Sequence, residues 1–468
     1  MAGIGFRLQR LLKEESYSSL VKAYLYSAII STGPMLLAII VMAAVGYFLK
    51  FQLGREEGEY FLGFVLYVYA FSMISIGIFL YVVTRYLADL LYWNRMDAVT
   101  PTYLSVLEVT FSLQALTALL YLFPLSLDPS VKLCLFSLYL FVSGIWIAMS
   151  FLSAAKSYLW IVLAFLLGGL AAVLSIYFLG NALGFHGYLV GFTLGQGIIF
   201  FILSARIFRE FGYQRSHDFG FLLYFKRHPA LALTGLFYYL GIWIDKMIFW
   251  FSSSGSRIAE RLSVNFDYDL PMFLSFMTIV PSMAFFLIEM ETSFYRHYRA
   301  YYDDVRDRAD LATLQERQEG IRRNLTEHFQ KFVLFQGILS GFVILFVFQI
   351  ADLFHLNPAQ MGIFRIGVLG AFLLMGFLMV VTILFYFDAQ REVLGLTILY
   401  CLSNGLLTFL TLTIGLPAYG FGNAAASFLS LMIGFFLLDY RVKTLPFWTF
   451  MRQPILLPKY QFESESRS

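Results

Sequence analysis

Twelve long apolar stretches divide the sequence and leave few choices for its fold. Hydrophobic residues make up 59% of the 468 residues and charged residues only 13%, which is too little polar surface to coat a soluble globule. At about 1.5 Å per helical residue, most of the stretches are long enough to cross a hydrocarbon core of about 30 Å. We therefore predict an all-α polytopic membrane protein with twelve transmembrane helices. The stretches cover residues 23–49, 60–83, 103–123, 132–153, 157–180, 185–204, 230–252, 270–288, 332–350, 363–387, 392–413 and 418–438.

The connections between the stretches alternate between basic and nearly base-free. If the N-terminal tail is cytoplasmic, the cytoplasmic connections hold 26 of the 33 Lys and Arg residues and the opposite connections hold 5. This is the excess of positive charge that cytoplasmic loops of membrane proteins show. The bias predicts an inner-membrane protein with both termini in the cytoplasm, where the basic residues meet lipid headgroups rather than nucleic acid.

Two sets of six stretches lie on either side of a basic connection in which Gly212, Gly220 and Pro229 interrupt any helix. With both termini on one side, the two halves have the same orientation, as in transporters that hold substrate between two parallel repeats. We predict two six-helix lobes with a central cavity. The predicted segments are an amphipathic N-terminal segment at 1–22, an N-lobe at 23–204, a linker at 205–229, a C-lobe at 230–438 with a cytoplasmic helical insertion at 289–331, and a cytoplasmic tail at 439–468.

Charged residues inside the stretches are costly in lipid and are therefore candidates for a functional site. Asp245 and Lys246 are neighbours in YYLGIWIDKMIFW. Adjacent helix residues point about 100° apart, so we expect that they do not simply pair face to face. Asp245 is a candidate for taking up a coupling proton or cation or for binding sugar hydroxyls; the alternative is a structural ion pair with Lys246 or a polar group on another helix. Glu108 either lines an inward cavity or reaches the membrane interface.

Aromatic and polar residues near this pair suit a sugar substrate. Tyr238, Tyr239 and Trp243 precede it within two turns, and such rings stack on sugars while their polar tips bind hydroxyls. Asn404 serves either sugar recognition or helix contact. Gly33 and Pro34, in STGP, form either a hinge or a static kink.

The insertion at 289–331 begins with a Tyr- and Arg-rich segment, SFYRHYRAYYDD. Such residues suit the headgroup layer, and they equally suit docking of a cytosolic partner. The candidate docking residues are Tyr295, Arg296, Tyr298, Arg299, Tyr301 and Tyr302.

Two rows of glycines four residues apart predict close helix packing. Gly187, Gly191 and Gly195 form one row, and Gly337 and Gly341 form the other.

No pattern of residues predicts an enzyme. The six histidines lie singly in or beside the predicted loops without metal-ligand spacing, and the sequence has no phosphate-binding G-x-x-x-x-G-K-[ST]. We expect no catalytic residues, no metal and no cofactor.

The segments MAGIGFRLQRLL, AYLYSAIISTGP and GIWIDKMIFW resemble the PelG family, inner-membrane transporters of the Pel exopolysaccharide system. The resemblance extends over essentially the whole chain. It implies the multidrug/oligosaccharidyl-lipid/polysaccharide flippase superfamily, a bacterial inner membrane, and outward movement of an N-acetylgalactosamine-rich polymer. It also implies a cytosolic glycosyltransferase and small membrane partners, including a cyclic di-GMP receptor. It assigns no binding residues.

Two alternatives to polymer export stay open. One is a cation-coupled flippase of lipid-linked oligosaccharide, or a small-drug exporter, with the same fold. The other is a membrane scaffold of a polysaccharide synthase complex that transports nothing. A membrane-embedded sugar polymerase would need a long outer loop with clustered Arg, Asp or His, which the sequence lacks.

Overall fold

Long apolar helices dominate the computed structural model. It describes residues 33–34, 36–42, 44–46, 49, 55–155, 157–259 and 261–451. Within these residues, eleven helices are long and apolar enough to cross a membrane, and they coincide with the last eleven predicted stretches. The all-α polytopic fold is thereby confirmed. Most of the first stretch, 23–49, lies outside the described residues, although 36–42 and 44–46 are helical, so the count of twelve stays a prediction.

The helices of the two halves are as follows. The first half contains α1 Arg55–Tyr92, α2 Val99–Leu122, α3 Pro129–Ala154, α4 Tyr158–Leu183 and α5 Phe185–Phe211, followed by the short α6 Phe221–Arg227. The second half contains α7 Pro229–Trp250, the hairpin strands β1 Ser256–Ala259 and β2 Leu262–Val264, α8 Phe266–Met277, α9 Val280–Glu289, α10 Tyr295–Arg306, α11 Leu311–Leu345, α12 Val347–Phe354, α13 Pro358–Tyr386, α14 Gln390–Ile414, α15 Phe421–Lys443 and α16 Leu445–Met451. A π-helix, Met290–Phe294, joins α9 to α10.

The same pairs of helices pack in both halves. In the first half α1 packs on α3, α3 on α5, α4 on α5 and α2 on α3. In the second half α8 packs on α13, α13 on α15, α14 on α15 and α11 on α13. The helices α8, α11, α13, α14 and α15 of the second half correspond to α1, α2, α3, α4 and α5 of the first half. In each case the second helix is six predicted spans later in the chain than the first. The helices therefore repeat in the way that parallel-repeat transporters do, although the sequence has no clear residue-level repeat.

One of the two predicted glycine rows brings helices together. A Cβ atom on Gly187 would lie 2.0 Å from the Leu179 carbonyl oxygen, and one on Gly191 would lie 2.7 Å from the Ile176 nitrogen, so α4 and α5 touch through their backbones. The prediction for the second row is wrong. A Cβ on Gly337 or Gly341 would meet nothing within 4 Å, because this face of α11 is not covered by another described helix.

Part of the predicted linker, 205–229, is helical. Helix α5 continues to Phe211, where an ion pair between Arg206 and Glu210 supports its last turns. Gly212 then ends the helix with a φ of +76°, a left-handed conformation that glycine adopts without strain. Pro229 stands in the first turn of α7, where its missing N–H costs nothing.

Candidate functional site

Helices α1 and α7 run antiparallel and join the two halves. Their closest approach is at Gly235, where a Cβ atom would lie 1.9 Å from the Gly77 carbonyl oxygen. At one end the rings of Tyr67 and Trp250 stack with centroids 4.9 Å apart, and β2 adds a hydrogen bond from the Tyr67 hydroxyl to the Ser263 carbonyl at 2.7 Å. We call the aromatic side chains along this contact the aromatic seam: Tyr67 and Tyr81 on α1, and Tyr238, Tyr239, Trp243 and Trp250 on α7.

The three aromatic residues predicted to contact sugar all belong to this seam. The Tyr238 and Tyr239 rings meet edge to face at 4.9 Å, and Tyr238 also contacts the ring of Tyr81 on the other half. Tyr239 covers Gly77 of α1, where an added Cβ would lie 2.4 Å from its ring. The buried Nε1–H of Trp243 has no hydrogen-bond partner among the described residues, which is unusual for an indole.

Asp245 is completely buried beside the seam, and all its contacts come from the C-terminal half. The Tyr268 hydroxyl donates a hydrogen bond to its Oδ2 at 2.8 Å. The Lys246 ammonium lies 3.3 Å from its Oδ1, so the expectation that adjacent residues do not pair was wrong. The reason is the flexible lysine stem, which folds back far enough for Nζ to reach the Ile242 carbonyl at 3.2 Å as well.

The Lys246 charge is enclosed by rings as well as by the carboxylate. Its Nζ lies 5.1 Å from the ring centre of Phe276 and 5.7 Å from that of Trp243. Both contacts that a structural role for Asp245 would require are therefore present. One is the ion pair with Lys246, and the other is the hydrogen bond from Tyr268 on another helix. The pair carries no net charge, and Trp243 connects it to the aromatic seam.

A second buried carboxylate, Asp269, was missed by sequence reasoning. The Trp250 Nε1–H donates to its Oδ2 at 2.7 Å, whereas its Oδ1 has no partner among the described residues. Asp269 is the last residue before a predicted stretch and was counted in the loop. The structure buries it because α8 begins at Phe266 and turns this carboxylate toward α7. Its place beside the stretch was the only signal.

The remaining candidates lie elsewhere. Asn404 is buried and donates to the Gly241 carbonyl at 2.9 Å, so it connects α14 to α7 as a helix contact. Glu108 is exposed on α2, with its Oε2 3.5 Å from Nε2 of His217 in the linker. Gly33 and Pro34 are helical and buried, but the neighbours that would define a hinge lie outside the described residues.

The predicted docking residues do not form one exposed surface. Arg296 and Arg299 are exposed, but Tyr301 is fully buried and its hydroxyl lies 3.3 Å from that of Thr449. Tyr298 donates to the Tyr386 carbonyl at 3.0 Å. Tyr295 and Tyr302 are half-buried. The tyrosines face the bundle because α10 packs on α11 and the end of α13.

The fold is similar to that of several solved transporters. An outward-facing multidrug resistance MATE family transporter of the MOP superfamily has a TM-score of 0.62 at 14% identity, with 91% of this chain and 96% of that chain covered. A variant of the Vibrio cholerae MATE transporter VcmN gives 0.63 at 12% identity, covering 92% and 99%. A MOP superfamily transporter from Pyrococcus furiosus gives 0.58 at 13% identity, covering 91% and 96%. At such identities the likeness shows the fold alone.

The sequence comparisons give the family. No curated protein sequence matches this chain. The model of the PelG family, described as "Putative exopolysaccharide Exporter (EPS-E)", matches residues 1–450. The match covers nearly the whole chain, including all the helices that form the aromatic seam, and the chain therefore belongs to the PelG family.

Proposed function

We propose that this protein exports an N-acetylgalactosamine-rich exopolysaccharide of the Pel type across the cytoplasmic membrane, through the cleft between its two lobes. Its family and its fold make it a membrane transporter. The observation that supports this substrate class is the aromatic seam, where the halves meet through Tyr and Trp side chains. Of the charged residues beside it, Asp245 and Lys246 pair with one another, and Asp269 accepts a hydrogen bond from the seam residue Trp250.

A neutral acetylated sugar suits such a surface. Aromatic faces pack against the apolar faces of sugar rings, and the Tyr and Trp polar tips bind hydroxyl and acetamido groups. The Trp243 Nε1–H is buried and has no partner among the described residues, so a sugar group that enters between the lobes and reaches it would satisfy this donor.

The test is polymer export by cells whose only copy of the protein carries Trp243→Ala or Tyr239→Ala. Losing one aromatic contact worth about 1 kcal/mol should reduce export roughly fivefold at normal protein level. Leu233→Ala is the matched control, because Leu233 is on the same helix but 44% exposed and should leave export unchanged. Normal export by both seam variants would contradict the proposal.

The second candidate is a cation-coupled flippase of lipid-linked oligosaccharide. The observation that favours it is the Asp269 Oδ1, a buried carboxylate oxygen without a partner among the described residues. In proteoliposomes containing lipid-linked oligosaccharide, Asp269→Asn should remove ion-dependent flipping while ion-independent flipping persists. Asp267→Asn, outside this buried position, is the control. Flipping that does not respond to an ion gradient in the wild type would reject this candidate.

A cytosolic glycosyltransferase is proposed to dock on α10, with small membrane partners that include a cyclic di-GMP receptor. The exposed Arg296 and Arg299 are the docking residues that the structure leaves accessible. Replacing both with Glu should abolish co-purification of the glycosyltransferase, whereas Arg209→Glu, at another exposed arginine near the end of α5, should not. Co-purification that survives the double replacement would exclude this surface.

The same variants separate a transporter from a scaffold. If the α10 replacements abolish polymer production while the seam replacements have no effect, the protein acts as a non-transporting scaffold. The proposed topology puts α10 and both termini in the cytoplasm of a bacterial inner membrane. A reporter fused after residue 450 that is active only outside the cytoplasm should therefore stay inactive.

A further inference from the structure

Two titratable side chains, one buried and one largely buried, meet between α9 and α11, outside the aromatic seam. The Glu289 Oε2 lies 2.7 Å from Nε2 of His328, and these side chains are 17% and 6% exposed. His328 belongs to the insertion at 289–331, which the sequence predicted to be helical. The structure adds that α11 holds this histidine against Glu289 at the end of α9.

Apolar side chains surround the pair on most sides. The Glu289–His328 pair therefore lies in a low-dielectric environment, where a net charge is costly. The lining residues are Phe285, Phe286, Met290, Leu325, Phe329, Met379 and Ile383.

The polar contacts around the pair are incomplete. Asn324 donates from Nδ2 to the Ser293 hydroxyl at 2.7 Å, and the same Nδ2 lies 3.4 Å from Nε2 of His328. The His328 Nδ1 and the Asn324 Oδ1 are both buried and have no partner among the described residues. Buried polar atoms are rarely left in this way, and two of them one helical turn apart indicate a site that binds something small.

We propose that Glu289 and His328 form a proton-binding site, with the His328 Nδ1 as the atom that takes up the proton. With a single proton between the carboxylate and Nε2, the pair has a net charge of −1. A second proton on Nδ1 makes it a neutral carboxylate–imidazolium pair, which the apolar surroundings tolerate better. The binding step is the formation of one N–H bond, and the proton comes from water.

The other charged groups near the site reduce the preference for the doubly protonated pair without removing it. Lys331, on α11, acts electrostatically on the Glu289 carboxylate. On α10, the titratable His297 has its Nδ1 3.0 Å from the Ser293 carbonyl. The residues that α13 contributes, Met379 and Ile383, are uncharged. The positive charge of Lys331 stabilises the singly protonated pair, which has a net charge of −1. We therefore expect the second proton to be released again.

The position of the site connects proton binding to the rest of the molecule. The π-helix Met290–Phe294 follows Glu289 directly and joins the transmembrane α9 to α10. Such π-turns interrupt a helix and often occur at functional positions. Binding of the proton changes the attraction between Glu289 on α9 and His328 on α11. This contact lies at the point where the α10–α11 hairpin leaves the bundle. This proposal does not depend on the identity of the exported molecule.

The experiment follows the protonation of His328 in the purified full-length chain in lipid nanodiscs. Nuclear magnetic resonance of isotope-labelled histidine distinguishes an imidazole with one protonated nitrogen from an imidazolium with two. We expect His328 to carry protons on both nitrogens at about pH 5 and on one at about pH 8. The His328→Gln variant identifies its signal. The control His355→Asn removes only another signal, since His355 is exposed with a φ of +54°, which Asn tolerates.

Replacing Glu289 with Gln is expected to abolish the imidazolium signal of His328 at about pH 5, because the stabilising carboxylate is lost. A His328 that keeps one protonation state at both pH values would overturn the proposal, as would an imidazolium that persists in Glu289→Gln. The wild-type titration decides the question even if a variant fails to fold. No substrate is present, so the result is separable from a failure of the export proposal.

Discussion

At the scale of single residues, the Asp245–Lys246 pair shows how a buried charge is made tolerable in a membrane protein. Lys246 Nζ, at 3.3 Å, and the Tyr268 hydroxyl, at 2.8 Å, both contact the carboxylate. Removing one partner of a buried ion pair is more damaging than removing both, because the remaining charge has no counterpart. This asymmetry separates a structural role for Asp245 from a functional one.

We predict that Asp245→Asn destabilises the folded protein by about 3–5 kcal/mol, since it leaves Lys246 buried and unpaired. The double variant Asp245→Asn with Lys246→Met should regain most of this loss. Thermal unfolding in detergent measures the stability, and polymer export in cells measures the function. If the double variant is stable and exports normally, Asp245 is structural only; if it is stable and inactive, Asp245 acts in transport. A double variant less stable than Asp245→Asn would contradict the pairing.

At the scale of helices, glycine spacing alone does not say where backbones touch. Gly191 in α5 and Gly337 in α11 both belong to four-residue glycine rows, but in the part of the chain that the structure describes only Gly191 has another helix against it. The difference depends on which face of the helix the bundle covers, and spacing along one segment carries no information about that.

We predict opposite effects for the same substitution at these positions. Gly191→Ala forces α4 and α5 apart and should destabilise the protein by about 1–3 kcal/mol. Gly337→Ala should stabilise α11 by up to about 1 kcal/mol, because alanine favours the helix and meets no neighbour. Thermal unfolding of the two variants against wild type gives the comparison. Equal effects at both sites would show that the α4–α5 contact is looser than described.

The α1–α7 contact allows a second prediction at this scale. Gly235→Ala would place a Cβ atom against the Gly77 carbonyl, so it should weaken the contact between the halves and reduce export at normal protein level. Gly395→Ala in α14 is the control, because a Cβ there meets nothing within 4 Å. Cross-linking between cysteines introduced at Tyr81 and Tyr238, whose rings meet across these two helices, reports the contact. Unchanged cross-linking and export in Gly235→Ala would contradict the described approach.

At the scale of the whole molecule, the halves also meet at the end of α1 that is predicted to be cytoplasmic. Arg85 lies 3.4 Å from Asp388, which follows α13 of the other half. Nearby, the Tyr81 ring stacks on Phe385 at 5.2 Å, and His228 lies 3.3 Å from Gln390. The ion pair is exposed, so it contributes at most about 1 kcal/mol. Such a contact is weak enough to open during a transport cycle.

The contact between the halves at this end should depend on pH through His228. Burial, and then the charge of Arg85, lowers the pKa of His228 below its ordinary value, so the closed contact favours the neutral imidazole. Its contribution is fully present above about pH 6.5 and is lost as pH falls through the lowered pKa. We therefore predict that acidification separates the halves at this end and that His228→Gln removes the effect.

Spin labels on the exposed Arg95 and Arg391 measure the separation, after Cys134 and Cys401 are replaced by Ala. Arg85→Gln should increase the fraction of molecules with the longer label-to-label distance at neutral pH by up to about fivefold. This factor corresponds to the loss of about 1 kcal/mol from the ion pair. His186→Asn, at a half-buried histidine near the other end, is the control. A distance that does not change with pH in the wild type would refute the role of His228.

The sequence by itself determined the helical membrane fold and the positions of eleven spans. These follow from the length and hydrophobicity of each segment, which are local properties. Only the tertiary structure decided that Lys246 neutralises Asp245, that Asp269 and His328 are buried, and that Tyr301 faces inward. Each of these depends on which helix covers which face, and that is set by contacts between residues far apart in the chain.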